Sequence, residues 1–246
     1  MSTRTRARTA KAFDPGRHPA FAVTVDVVVL TVAGGALQAL LVRRGVPPFA
    51  GRWAIPGGFK RPDETLDEAA LRELSQETGV DGARLLTQFG AYGDPERDPR
   101  MNVVTVAYLA VVRQVTGIAA GSDAAAAALQ GRVELAFDHS RIVRDAVDRV
   151  RADLDLTGGA TAFVGPTFTL AELRAVYEAV WGIRLDGANF RRKVFGDEGW
   201  VIPTGRHAQP GANGGKPAEL YRPGPRWRQG GPIRRSSRQE GGNRSK

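Results

Sequence analysis

From Phe21 to Val32 the chain reads FAVTVDVVVLTV, an apolar, β-branched run without helical period, and LQALLVRRG and RWAIPGGF follow after glycine-containing breaks. These segments predict strands. MNVVTVAYLAVV repeats the pattern after the loop YGDPERDPR, whose prolines and dense charge exclude a packed element. Between them the period changes. Leu66, Ala70 and Leu74 recur at helical spacing, Thr65 and Glu68 form a capping box, and Gly79 suits the left-handed residue that closes a helix. A helix over Thr65 to Thr78, lying on a mixed sheet, is expected. Downstream, GSDAAAAALQG reads as a Gly/Ala-rich surface stretch. DHSRIVRDAVDRVRADL then puts Ile142, Val143, Ala146, Val147 and Val150 on one helix face behind Asp138 as N-cap.

A second unit follows TGGATAFVGP. Thr169 and Glu172 make another capping box, and Leu170, Leu173, Val176, Tyr177, Val180 and Trp181 form an apolar stripe that stops at Gly182. Asp186 then heads GANFRRKVF, where Phe190 and Val194 face inward and Asn189, Arg191, Arg192 and Lys193 face out. GWVIPT and KPAELYR predict two short strands around GRHAQPGANGG, a loop that holds Arg206 and His207. Helix, turn, basic second helix and two-stranded wing match a winged helix-turn-helix, whose second helix enters the DNA major groove. The expected fold class is α/β (α+β): a mixed sheet flanked by helices, followed by this small domain. Its organisation is a basic N-terminal arm (1–19), a sheet domain (20–155), a linker (156–165), the winged helix (166–222) and an Arg-rich tail (223–246). The tail has too little apolar content for a core and is expected to be disordered.

Charge is unevenly placed on this plan. Of the net +9, residues 1–20 hold five Lys/Arg against one acid and residues 206–246 hold ten against two, which leaves the middle slightly acidic. Basic ends fit a polyanionic partner and equally fit solvated tails. The absence of cysteine excludes disulfides and thiolate metal sites. No apolar run approaches the roughly 18 residues of a membrane span, and none follows the basic N-terminus, so a soluble cytoplasmic protein without membrane contact is expected. His18, His139 and His207 are too scattered to predict a metal site, and adjacent His139 and Ser140 do not face each other as a hydrolase pair would.

The first helix carries the chemistry. Glu73, Gln76 and Glu77 lie on one side of it. Two close carboxylates suit a hard cation, and Gly57 and Gly58 permit close backbone approach. Taken alone, the pair equally describes an ordinary solvated helix. The flanks add Gly58, Glu64, Arg72-Glu73-Leu74, Gln76-Glu77 and Gly79-Val80, and this spacing over residues 58–80 resembles the Nudix box, with Gln76 the one departure. The resemblance implies a loop and helix beside a mixed sheet, metal-facing Glu73 and Glu77 able to take Mg²⁺ or Mn²⁺, a supporting Arg72, and cleavage of nucleoside diphosphates linked to another group. Gln76 stands where the family supplies a further carboxylate. A glutamine cannot serve as general base, a role worth roughly 10²–10⁴-fold in rate. No catalytic residue is therefore assigned and no cofactor is required, although Glu64 or another acid is an alternative base. AYGDPERDPR resembles the corresponding loop of Nudix proteins that act on ADP-ribose or related dinucleotides. That resemblance sets Arg97 and Asp98, with Arg52, Gly57, Gly58 and Phe59, on the ligand side; a surface salt-bridged turn is the other reading.

A Nudix-like domain followed by FTLAELRAVYEAVWGIRLDGANFRRKV resembles the NrtR family, Nudix-related transcriptional regulators of NAD metabolism, over about residues 20–222. The resemblance implies a homodimeric repressor that binds operator DNA and senses ADP-ribose or a related NAD metabolite. Asn189, Arg191, Arg192, Lys193, Arg206 and His207 are then the DNA contacts. An active Nudix ADP-ribose pyrophosphohydrolase is the competing expectation. RNA binding through the Arg tail is a third, disfavoured because such a tail needs no bounded helix pair.

Overall fold

A computed structural model describes residues 14–79, 85–113, 124–128, 134–156, 159–209, 217–227 and 233. Strand β1 (Ala22–Ala33) is the spine of a seven-stranded sheet with β2 (Ala36–Arg43), β3 (Trp53–Ala54), β4 (Gly57–Phe59), β5 (Leu85–Tyr92), β6 (Val103–Val111) and β7 (Ala124–Ala128). β1 runs parallel to β6 and antiparallel to β2 and β4, so the sheet is mixed as expected. Its apolar run is nearly continuous because both faces are covered. Val25, Val27 and Val29 pack toward α1 (Leu66–Thr78), and Val28 and Leu30 face the opposite layer, which includes α2 (His139–Leu156).

The first helix forms as its ends dictate. Thr65 accepts from Glu68 N–H, Glu68 returns the bond to Thr65 N–H, and Gly79 closes the helix at φ 68°. Two strands depart from expectation. β7 arises from the alanine tract read as surface; it pairs with β2 from Gln38↔Ala128 to Val42↔Ala124. β5 was not expected, and its register shifts between Gln88 and Gly90. Asp138 precedes α2 as predicted, but its carboxylate holds Arg97.

The segment read as a linker is packed: Gly159–Phe163 forms a 3₁₀ turn that buries Ala160, Phe163 and, next to it, Val164. Beyond it stand α3 (Leu170–Trp181), capped by Thr169 and Glu172, α4 (Gly187–Gly196), capped by the Asp186 side chain, and the hairpin of β8 (Val201–His207) and β9 (Glu219–Pro223). One apolar cluster runs from Val28 and Leu109 through Ile142 and Leu173 to Trp200 and Tyr221, joining both units in a single core. The tail's beginning is also corrected: Pro223 ends β9, Trp227 packs against this core, and Ile233 is buried in it. The N-terminal arm through residue 13, Val80, the wing tip 210–216 and the rest of the tail lie outside the described residues. None of the described helices is long and apolar enough to cross a membrane.

Candidate functional site

On the face of β1 that carries Val28 inward, the alternation continues toward the strand start as Asp26 and Thr24, which leaves polar side chains at the wall of a cleft of about 370 Å³. β4 and α1 form a second wall. Gly57 and Gly58 are glycine for a steric reason: a Cβ at Gly57 would lie 2.5 Å from the Val25 carbonyl oxygen, and one at Gly58 would overlap the Glu73 carboxylate. Behind them Arg72 forks onto Glu64, with Nε–Oε2 2.9 Å and Nη2–Oε1 2.6 Å, and donates through Nη1 to Glu73 Oε1 at 2.6 Å. The hydrogen bonds from Arg72 hold the Glu64 carboxyl at about 2. Arg72 thus supports the box, in line with the resemblance.

Gln76 is exposed, and its Oε1 is 3.5 Å from Arg72 Nη1. Glu77 is exposed as a residue, yet its carboxylate turns to the cleft and accepts Gly57 N–H at 3.0 Å. Desolvation of that carboxylate, with Glu73 and Asp26 nearby, pushes it up to about 7 despite the Gly57 bond. Glu73 is buried and committed to Arg72. Among the described residues no three His, Cys, Asp or Glu side chains converge to hold a metal ion. Glu73 and Glu77 keep their carboxylates, and Gln76 presents an exposed neutral amide beside them.

The cleft floor is a buried charge network. Arg97 bonds Asp138 through Nε and Nη2 and reaches Asp26 Oδ2 at 3.1 Å. Burial opposes its charge, but the two aspartates outweigh it and the guanidinium pKa is raised. Asp98 is bonded to Arg100, which holds it below the usual carboxylate range. Arg97 and Asp98 therefore do line the cleft, as parts of a salt-bridged turn that is buried rather than superficial. Phe59 lines it too. Arg52 does not: it is exposed, with its guanidinium 5.7 Å from the Phe49 ring centre.

Four cleft residues escaped the sequence. Arg44 lies 4.6 Å and Arg100 5.9 Å from the Phe137 ring centre, and Arg100 also covers Phe59. Phe137 adopts φ 54°, unusual for a side chain with a Cβ, and meets Phe49 edge-on at 4.9 Å. His139 is buried; its Nδ1 accepts Ile55 N–H at 3.2 Å, its Nε2 lies 3.6 Å from Asp26 Oδ1, and burial lowers its pKa. Arginines over aromatic faces beside close-approach glycines suit a ligand with ring and anionic parts.

The other polar surface is α4. Phe190 and Val194 are buried, while Asn189, Arg191, Arg192 and Lys193 are exposed. Arg206 and His207 are exposed as well, but they end strand β8 instead of lying in the loop.

Two family models match the chain, the NUDIX domain over residues 20–136 and the NrtR DNA-binding winged helix domain over residues 161–222. The chain is 33% identical over 233 residues to the ADPR responsive transcriptional repressor NtrR of Acinetobacter baylyi, covering 90% of this chain and 91% of that one. The chain belongs to the NrtR family. Shewanella oneidensis NrtR complexed with a 27mer DNA shares the fold at TM-score 0.74 and 33% identity, over 86% of this chain and 98% of that one. The NUDIX domain of S. oneidensis NrtR complexed with ADP ribose matches at TM-score 0.50 and 35% identity, over 56% and 94% respectively. Apart from Phe137 and His139, the cleft lies within the NUDIX match, and α4 lies within the winged-helix match.

Proposed function

We propose that this chain is an ADP-ribose-responsive DNA-binding repressor of NAD biosynthesis or salvage genes, acting in the cytoplasm as a homodimer on paired half-sites. The observation that carries the sensing role is a nucleotide-suited cleft whose box keeps Arg72, Glu64 and Glu73 but exposes neutral Gln76. A sensor needs recognition without rapid destruction of its ligand. In this reading Arg44 and Arg100 meet the pyrophosphate and the Phe137 and Phe59 walls meet the rings. Two winged helices related by a two-fold axis would read a near-palindromic operator.

One observation favours a second reading, an ADP-ribose pyrophosphohydrolase using Mg²⁺ or Mn²⁺: Glu77 turns its carboxylate into the cleft beside the close-approach glycines and accepts Gly57 N–H at 3.0 Å. Calorimetric titration and turnover assays with either ion decide between them. The sensor reading expects ADP-ribose to bind while hydrolysis stays far below about 1 s⁻¹, the low end of ordinary enzymes, with Gln76→Glu raising it. Wild-type turnover at ordinary enzyme rates would contradict the sensor reading.

A further inference from the structure

The polar positions of α4 are not equivalent. At roughly 100° per residue, Arg192 stands about 180° from the midpoint of buried Phe190 and Val194, while Arg191 and Lys193 sit about 80° to either side of that buried direction. Their neighbours separate them further. The Arg191 guanidinium lies 4.9 Å from the Phe195 ring centre, near the Tyr221 side chain. Phe195 in turn packs on Tyr221 at 5.6 Å. Tyr221 belongs to β9, and its backbone pairs with Phe168, the residue before the cap of α3. Arg191 thus flanks the Phe195–Tyr221 contact that ties the second helix to the wing.

Arg192 is held differently. Its Nη2 donates to Asn189 Oδ1 at 2.8 Å, and Asn189 N–H donates to Asp186 Oδ1 at 2.8 Å, so the guanidinium is aimed from the first turn of the helix. An arginine fork has only donors, and guanine alone presents two acceptors, N7 and O6, on its major-groove edge. We propose that Arg192 reads a guanine in each half-site with Asn189 as its positioning residue, and that Arg191 braces the helix against the wing without reading a base. This rests on the DNA-binding reading above.

The test is selection of sites from a random duplex library by the full-length protein, followed by affinity measurements on the selected guanine site and its adenine replacement. Wild type should select a guanine in each half-site and lose about 5- to 150-fold in affinity on the adenine site, the range for a bidentate base contact. Arg192→Ala should bind both sites equally, and 7-deazaguanine should weaken wild type but not this variant. Asn189→Ala should shrink the guanine-to-adenine ratio and Asn189→Asp, which retains an acceptor, should restore it. Arg191→Ala should weaken both sites alike and keep the ratio. A guanine preference that survives Arg192→Ala, or disappears with Arg191→Ala, overturns the assignment. Selection of no DNA by the wild type overturns the repressor reading and this assignment with it.

Discussion

Gly57 is the residue on which the cleft geometry turns most directly. Its Cα faces Asp26 and the Val25 carbonyl so closely that a methyl group must displace backbone of β1. Gly57→Ala should destabilise the fold by about 1–3 kcal/mol, read as a lower denaturant midpoint, and should weaken ADP-ribose binding in step. Unchanged stability would mean that β4 can move away freely. The glycines and the Arg72 fork were legible in the sequence because the box has fixed spacing. Arg44, Arg100, Phe137 and His139 were not, because they come from β2's end, from two loops and from the start of α2, which meet only when the sheet closes. Arg52 misled for the same reason. Nothing in its local sequence tells a side chain over the Phe49 ring from one in the cleft.

Elements with chemistry at both ends were readable. Both capping boxes form with reciprocal bonds, and the stripe of α3 is buried from Leu173 to Trp181. Thr169→Ala should cost about 1 kcal/mol, the usual worth of an N-cap, measured by chemical denaturation; no loss would mean that tertiary packing alone holds the helix start. The strands that went unread lack such signals. β7 is built from alanine, a helix former with little strand preference, and its place comes from pairing with β2. β5 carries an irregularity between Gln88 and Gly90 that breaks the alternation a strand prediction relies on. The linker looked like a chain break because of its glycines, although Phe163 and Val164 bury it.

Across the whole molecule, α2 runs from the cleft to the winged-helix unit, where it meets α3. Its first residue, His139, lies on the cleft floor, and about 18 Å further along at 1.5 Å per residue, Arg151 donates to the Val180 carbonyl of α3 at 3.2 Å. A rigid element in contact with both units is suited to carry coupling between them. Arg151→Ala should leave DNA and ADP-ribose binding separately intact while cutting their mutual effect by about 0.5–2 kcal/mol, measured by titrating each ligand with and without the other; an unaltered effect would take α2 out of the path. In a ligand-responsive repressor each ligand changes the other's affinity. The most direct measurement of this change is fluorescence anisotropy of the full-length protein on DNA from upstream of NAD-synthesis genes, with and without ADP-ribose at a concentration shown by calorimetry to saturate the cleft. The expected result is a change of about 5- to 150-fold in DNA affinity, mirrored by an equal change in ADP-ribose affinity on DNA; identical DNA affinity with the cleft empty and saturated would contradict an ADP-ribose-responsive repressor.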